Sequence, residues 1–180
     1  MKQNTDTVVR LASAADAALL AEIGARTFVE TFAADNTPED MSAYLAASFG
    51  QDQQAAELAD PDSLFLIAEI EGTAAGYSRM HGGAVPPSGV TGNKPIELVR
   101  LYVSQDWLGR GIGALLMHAC LSEATQKGYD TVWLGVWEHN LRARAFYRKW
   151  KFQEVGTHVF QLGNDSQTDI LMQRLLDQKI

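Results

Sequence analysis

Gly109, Gly111 and Gly113 stand at alternate positions in the segment 96–113, IELVRLYVSQDWLGRGIG. An apolar, strand-like run precedes them, and a helical pattern, ALLMHACLSEATQKG, follows at once. Strand, glycine loop and helix start, in that order, aim main-chain N–H groups at an anion, usually a phosphate, because the first amides of a helix lack intrahelical partners. A dinucleotide fold wants G-x-G-x-x-G with an acidic residue about 20 positions on, and the spacing G-x-G-x-G fails that fingerprint. A nucleotide-triphosphate loop wants G-x-x-x-x-G-K-S/T, and no Lys-Ser or Lys-Thr follows. For the glycines alone, a tight strand-to-helix connection that binds nothing is an equal reading.

Residues farther along shift that balance. Thr131–Trp137, TVWLGVW, is rich in β-branched and aromatic side chains and reads as a buried strand. Asn140 suits a helix N-cap. Ala143, Phe146, Tyr147 and Trp150 recur at i, i+3, i+4 and i+7, a helical stripe, and Phe152 opens another strand-like segment.

Taken together, these residues resemble the GNAT superfamily of acetyl-CoA-dependent N-acetyltransferases. The family's loop pattern Q/R-x-x-G-x-G/A is matched by Leu108, Gly109, Arg110, Gly111, Ile112 and Gly113, and its N-x-x-A-x-x-F-Y-x-x-x-G-F signature by Asn140, Ala143, Phe146, Tyr147 and Phe152. The resemblance is strong over residues 63–159 and weaker outside. Two positions depart from the pattern. Leu108 replaces the usual Gln or Arg, which removes a side-chain contact near the pyrophosphate but leaves the amides of residues 109–114 and the charge of Arg110. Lys151 replaces the usual Gly, so the turn into the next strand is expected not to need a positive φ.

The resemblance implies an α/β (α+β) GNAT fold. Its sheet is mixed and mostly antiparallel, of about seven strands flanked by four to five helices, and it splays between the strands at 96–104 and 130–137. Acetyl-CoA as cosubstrate would lie on the loop from Leu108 to Ala114, with its pantetheine arm along Leu101, Tyr102 and Val103 like an added strand. Asn140, Ala143, Phe146 and Tyr147 would line the same arm. Tyr147 matches the family's general acid for the leaving thiolate. Glu97 holds the position where several members carry a catalytic glutamate, and strand alternation puts it on one face with Val99, Leu101 and Val103, where a carboxylate is out of place. Pairing with Arg100 or Arg79 is its structural alternative.

The run TFVETF…NTPED is similar to the diamine and polyamine acetyltransferase branch. The acceptor is therefore expected to be a small cationic amine bound near Phe28, Phe32 and Glu30, with Tyr44, Asp35, Glu39 and Asp40 close by. Other expectations stay open: a protein N-terminal or side-chain amine as acceptor, or an acyl-CoA-binding sensor without turnover. A homodimer rests on analogy alone.

Composition narrows the classes further. The net charge of −7 disfavours nucleic acid. No stretch approaches the roughly 20 apolar residues that cross a membrane, and MKQNTDTVVR has no apolar signal core, so a cytoplasmic protein is expected. Cys120, the single cysteine, reads as a packed thiol rather than a nucleophile. His81, His118, His139 and His158 show no metal-binding spacing, so no metal is expected. Charge is uneven: residues 1–80 hold 13 acidic and 4 basic side chains, whereas 140–151 hold five basic ones and no acid.

The elements that must position these groups follow from periodicity. One domain over 1–180 is expected, with acceptor-side helices within 14–60 and the cofactor core within 96–152. After a strand at Thr7–Leu11, a helix at 14–31 is capped by Ser13. A second starts at Thr37-Pro38 and is stopped by Gly50, and a third spans 51–58. A hairpin pairs 63–71 with 74–81, and 82–95 is loop. Strand 96–104, helix 111–127, strand 130–137 and helix 140–151 come next. Strands 152–162 and 168–176, turned by Asn164-Asp165, close the chain.

Overall fold

The computed structural model describes residues 7–176; the outermost residues of the expected domain lie outside that range. Seven strands form one sheet in the order β1-β2-β3-β4-β5-β7-β6. They are β1 (Thr7–Leu11), β2 (Ser63–Ile70), β3 (Thr73–His81), β4 (Pro95–Val103), β5 (Thr131–Trp137), β6 (Gln153–Leu162) and β7 (Asp165–Leu175). Five helices flank it: α1 (Ala17–Phe32), α2 (Pro38–Ser48), α3 (Gln51–Ala59), α4 (Ile112–Gln126) and α5 (Leu141–Lys149). This is the architecture that the resemblance implies. Among the described residues no helix is long and apolar enough to cross a membrane.

Every strand pairing is antiparallel except β4 with β5, which run parallel for three residue pairs, Pro95–Thr131, Ile96–Val132 and Glu97–Trp133, and then part. Apolar side chains cover both faces. Leu64, Leu66, Met80, Leu98, Val132, Leu134 and Met172 pack with Leu116 and Met117 of α4. Phe65, Ile67 and Tyr77 pack with Leu20, Ile23 and Phe28 of α1 on the other face.

Several local expectations need correction. Residues 14–16 form a 3₁₀ turn rather than the first turn of α1, because Asp16 accepts hydrogen bonds from the Ser13 amide (2.7 Å) and hydroxyl (3.1 Å) while pairing with Arg10. Gly50 does not end α2 in the left-handed conformation; it is extended, with φ −64°, and is the N-cap of α3. The last hairpin turns at Gly163-Asn164, with Leu162 opposite Asp165 and Gly163 at φ +59°. Glycine at the first position of a two-residue turn supplies that φ, so the loop sits one residue earlier than expected.

Lys151 was expected to avoid a positive φ, yet it lies at φ +64°. The end of α5 explains why. Lys151 N–H donates to Arg148 C=O (2.9 Å) and Phe152 N–H to Tyr147 C=O (3.1 Å), the paired bonds of a Schellman motif whose first residue past the helix must be left-handed. Phe152 is buried beside the Tyr147 ring, 5.7 Å away, and anchors the turn. A non-glycine residue there bears about 1–2 kcal/mol of strain.

A bulge alters which way β4 points its side chains. Arg79 pairs with Arg100 but Met80 with Leu98, leaving Val99 unopposed. Ile96 and Leu98 before the bulge, and Leu101 and Val103 after it, all join the α4-side core. Glu97 therefore does not share a face with Leu101 and Val103. It faces the α1 side, as do Arg100 and Tyr102. Nor does Arg100 pair with Glu97: its guanidinium grips buried Glu57 of α3 at 2.6 and 3.1 Å, lies over Phe49, and shares Glu57 with Arg79 (3.2 Å).

Two outcomes test this account. Lys151→Gly should raise unfolding free energy by about 1 kcal/mol in urea titration, since it relieves left-handed strain. Glu57→Gln should lower it by about 3 kcal/mol, because two largely buried guanidinium groups lose their counter-charge.

Candidate active site

Where β4 and β5 diverge, a cavity of about 1150 Å³ opens between the sheet's two halves. It reaches from the glycine loop, past Leu101, Tyr102 and Val103, to the rings of α1 and α2. Its size, and the edge of β4 left unpaired beyond Glu97, fit an extended ligand that adds to the strand.

The loop leaves main-chain amides free at the start of a helix. Gly109 (φ +77°) and Gly111 (φ +86°) are left-handed, and a Cβ on either would meet nothing within 4 Å. They are glycine for their backbone angles, not for lack of space. Leu108 N–H donates to Gln105 C=O (3.2 Å), Arg110 N–H to Trp107 C=O (3.4 Å) and Leu115 N–H to Gly111 C=O (3.1 Å). Among the described residues no backbone acceptor takes the amides of Gly109, Gly111, Ile112, Gly113 or Ala114. These five amides at the head of α4 fit a diphosphate, and the amide of Arg110 does not join them. The Arg110 guanidinium lies over the Trp107 ring, 4.8 Å from its centroid, and is not part of the cavity wall.

Helix α5 forms the opposite wall. Asn140 Oδ1 accepts the Ala143 amide (3.1 Å), the expected N-cap, and Asn140, Ala143, Phe146 and Tyr147 all line the cavity. Burial, and secondarily the neighbouring Cys120, raise the Tyr147 hydroxyl well above the usual phenol range, so it holds its proton at neutral pH. Cys120 itself is buried, donates to Ser78 Oγ (3.1 Å) and has its thiol pushed up by burial to about 12. No nucleophile is offered there. Of the five basic residues in 140–151, Arg144 and Arg148 pair with Glu154, while Arg142 and Lys149 line the cavity.

The α1–α2 end of the cavity is a belt of rings. Phe28 lies 4.6 Å from Phe32 and stacks on Tyr44 at 4.5 Å; Tyr44 reaches Phe160 (5.6 Å) and Phe32 reaches Trp137 (6.2 Å). Glu30 lines the rim and accepts the Gln105 amide (2.8 Å), which ties α1 to the end of β4. Asp35 also lines it, but Glu39 and Asp40 do not. Asp40 bonds Thr37 and accepts the Asn164 amide (2.7 Å), which hold its carboxyl below the usual range.

At the apex of the splay sits Glu97, half-buried, with its carboxyl pKa raised by burial against the lowering effect of His81, Arg79 and His158. Opposite it are two residues that sequence reasoning missed, His158 and Asp169, facing each other across the β6–β7 register. Asp169 was visible as an acid within the apolar strand-like run DILM. Its pairing with His158 was not, because that requires the hairpin register.

Comparison with known proteins now decides the family. A model of the acetyltransferase (GNAT) family matches residues 21–152. The chain belongs to that family. It is 34% identical over 159 residues to an uncharacterised N-acetyltransferase of Lactobacillus delbrueckii subsp. lactis, covering 86% of this chain and 88% of the relative. It is also 34% identical over 161 residues to an uncharacterised N-acetyltransferase of Mycobacterium bovis, covering 89% and 98%. The fold matches the PaiA N-acetyltransferase of Thermoplasma acidophilum in complex with coenzyme A, with TM-score 0.73, 21% identity and coverage of 94% and 99%. A GCN5-related N-acetyltransferase of Rhodopseudomonas palustris superposes with TM-score 0.74 at 21% identity, covering 98% and 100%. The protein is thus an N-acetyltransferase with acetyl-CoA as cosubstrate. These comparisons lend no support to the polyamine branch in particular.

Gly111→Ala should weaken coenzyme A binding about tenfold in calorimetry, because left-handed alanine costs about 1–2 kcal/mol in the anion loop. Gly72→Ala, at φ +77° in the β2–β3 turn away from the cavity, should cost stability and leave that affinity unchanged.

Proposed function

We propose that this enzyme acetylates a small primary amine that enters as a cation, by direct attack within a ternary complex. Glu97 at the apex of the splay carries this reading: it is a half-buried carboxylate on the acceptor face, where the two sheet halves part.

An alkyl ammonium with a pKa near 10.4 is neutral about once in 2,500 molecules at pH 7, which adds about 4.6 kcal/mol to the barrier unless a base removes its proton. Glu97 takes it, directly or through a water. The ring belt supports a cation, since the faces of Phe32, Tyr44, Phe160 and Trp137 attract an ammonium as well as its apolar stem. The carboxylates of Glu30 and Asp35 at the rim draw it in.

On the other wall, the backbone amides of Gly109 and 111–114 hold the diphosphate, and Arg142 and Lys149 add positive charge. Asn140 and the edge of β4 orient the pantetheine arm. A main-chain N–H of β4 beyond the last β5 pair polarises the thioester carbonyl, a contribution of about 3–4 kcal/mol where such donors have been removed from other enzymes. Tyr147, kept protonated by burial, gives its proton to the departing thiolate as the C–S bond breaks, and its phenolate is reprotonated by the second proton that the attacking nitrogen loses on becoming the amide.

Thiol release from acetyl-CoA, followed across putrescine, spermidine, phenethylamine and an N-terminal peptide amine, tests the acceptor class. Turnover of the peptide alone would overturn the small-amine reading. Tyr147→Phe and Glu97→Gln should each lower kcat by about 10²–10⁴ with little change in KM for acetyl-CoA. A base must be ionised to act, so activity should fall as pH drops through the raised Glu97 pKa, and Glu97→Gln should abolish that limb. An unchanged rate in either variant would remove that residue's role.

A further inference from the structure

Asp130 immediately precedes β5, and its carboxylate reaches across to the start of β4. Oδ2 accepts the amides of Asn93 (2.7 Å) and Lys94 (3.1 Å), and Oδ1 accepts the Lys94 amide as well (3.1 Å). The Asp130 amide in turn donates to Lys94 C=O (3.0 Å), while Asp130 C=O accepts the amide of Leu176, just past β7 (2.9 Å). Its main chain is therefore pinned to the β5-β7-β6 block, and its side chain grips the residues that lead directly into β4.

The neighbouring residues are fitted to this grip. Gly92 lies at φ +123°, and a Cβ there would stand 2.6 Å from Asp130 Oδ1 and press on Thr131 Oγ1, so glycine is what lets the carboxylate come this close. Thr91 donates its amide to Gln173 Oε1 (2.7 Å) and accepts from Gln173 Nε2 on its hydroxyl (2.9 Å), a second tie to the same block, farther from β4. Lys94 Nζ donates to Lys127 C=O past the end of α4 (2.9 Å) and lies 4.7 Å from the Tyr129 ring centroid. Burial raises the Asp130 carboxyl, but its hydrogen bonds together outweigh that and hold it below the usual range, so the grip is charged at neutral pH.

Pro95 follows Lys94 and Thr131 follows Asp130, and Pro95–Thr131 is the first of the three β4–β5 pairs. So short a parallel junction frays from any end that is not closed. Its far end, beyond Glu97 and Trp133, is open where the cavity begins, so the near end must hold it. We propose that Asp130 is the positioning residue that fixes β4 against β5, and with them the width of the groove that receives the acyl-CoA arm. The inference rests on the reading above in which that arm adds to the unpaired edge of β4. The glycine loop continues from β4, whereas Asn140 and Tyr147 continue from β5. The arm is held between these two sets of groups, so the tie that sets their separation acts on its binding without touching it.

Hydrogen exchange followed by mass spectrometry on the unliganded enzyme should be faster in Asp130→Ala for peptides covering 95–99 and 131–135, and unchanged for the β2–β3 hairpin. Calorimetry should find coenzyme A bound about tenfold more weakly by Asp130→Ala. Asp130→Asn should recover most of that affinity, because one carbonyl oxygen at the Oδ2 position still reaches both amides. Its neutral bonds are about half as strong, so its junction should still exchange faster than that of the wild type, which keeps the test open should Asp130→Ala fold poorly. Gly72→Ala, in the β2–β3 turn, serves as the control that loses stability without losing affinity. Wild-type exchange at the junction in both Asp130 variants would overturn the grip itself and leave acetyl transfer standing. Faster exchange with wild-type affinity would overturn the link to the cosubstrate, and with it the placement of the arm on β4. An affinity loss that Gly72→Ala reproduces, or that Asp130→Asn does not recover, would overturn the positioning role. A wild-type enzyme that binds no coenzyme A would bring down the transfer reading, and this one with it.

Discussion

Three residue pairs between β4 and β5 hold the two halves of the sheet together. One more register of pairing along Leu98–Val103 would close the cavity, satisfy the edge of β4 internally and leave nothing for a ligand to add to. One register fewer would loosen the halves where Glu97 stands. The sheet has two antiparallel blocks, β1–β4 and β5-β7-β6, each containing one tight hairpin, β2–β3 and β6–β7. A parallel junction suits this arrangement, because β4 and β5 are connected through α4 rather than a turn, and nothing in the connection forces them to stay side by side.

The bulge at Val99 works together with that divergence. It lets apolar residues on both sides of it feed the α4-side core while Glu97 and Arg100 turn to the α1 side. On that side α3 supplies Glu57, and the buried Arg100–Glu57–Arg79 cluster fixes β3 and β4 to the helical layer. Buried ion clusters contribute little net stability, but they disfavour alternative packings of the strand. Here the strand so held is the one whose edge is left unpaired beyond Glu97.

How much of this could be read in the chain depended on whether a feature is local. The glycine loop, the Asn140 cap and the Ala143–Trp150 stripe are short-range patterns, and each lies where its spacing placed it. Glu97 was legible as an acid in an apolar strand, but its face was not, because a bulge is decided by how two strands register. Lys151 misled because the residue type argued against a left-handed turn, while the hydrogen bonds closing α5 and the burial of Phe152 demanded one. His158 and Asp169 are 11 positions apart in sequence, and only the β6–β7 register brings them together. An exposed-looking histidine carries no signal of that kind by itself.

Charge counts misled in the same way, and the reason is geometric. The acidic first 80 residues do not by themselves make a site for cations: Asp16 is engaged by Arg10, Asp40 by a helix cap and a hairpin amide, and Glu57 by two arginines. What reaches the cavity from that half is Glu30 and Asp35, joined by Glu97 and Asp169 from strands that composition gave no reason to favour. The basic run divides likewise, with Arg144 and Arg148 neutralised by Glu154 and only Arg142 and Lys149 turned to the cavity. Coulomb attraction between exposed groups fades beyond roughly 10 Å at moderate salt, so totals over a segment say little about a site. The field inside the cavity is set by the few charges that line it, Glu30, Asp35, Glu97 and Asp169 together with Arg142 and Lys149 of α5.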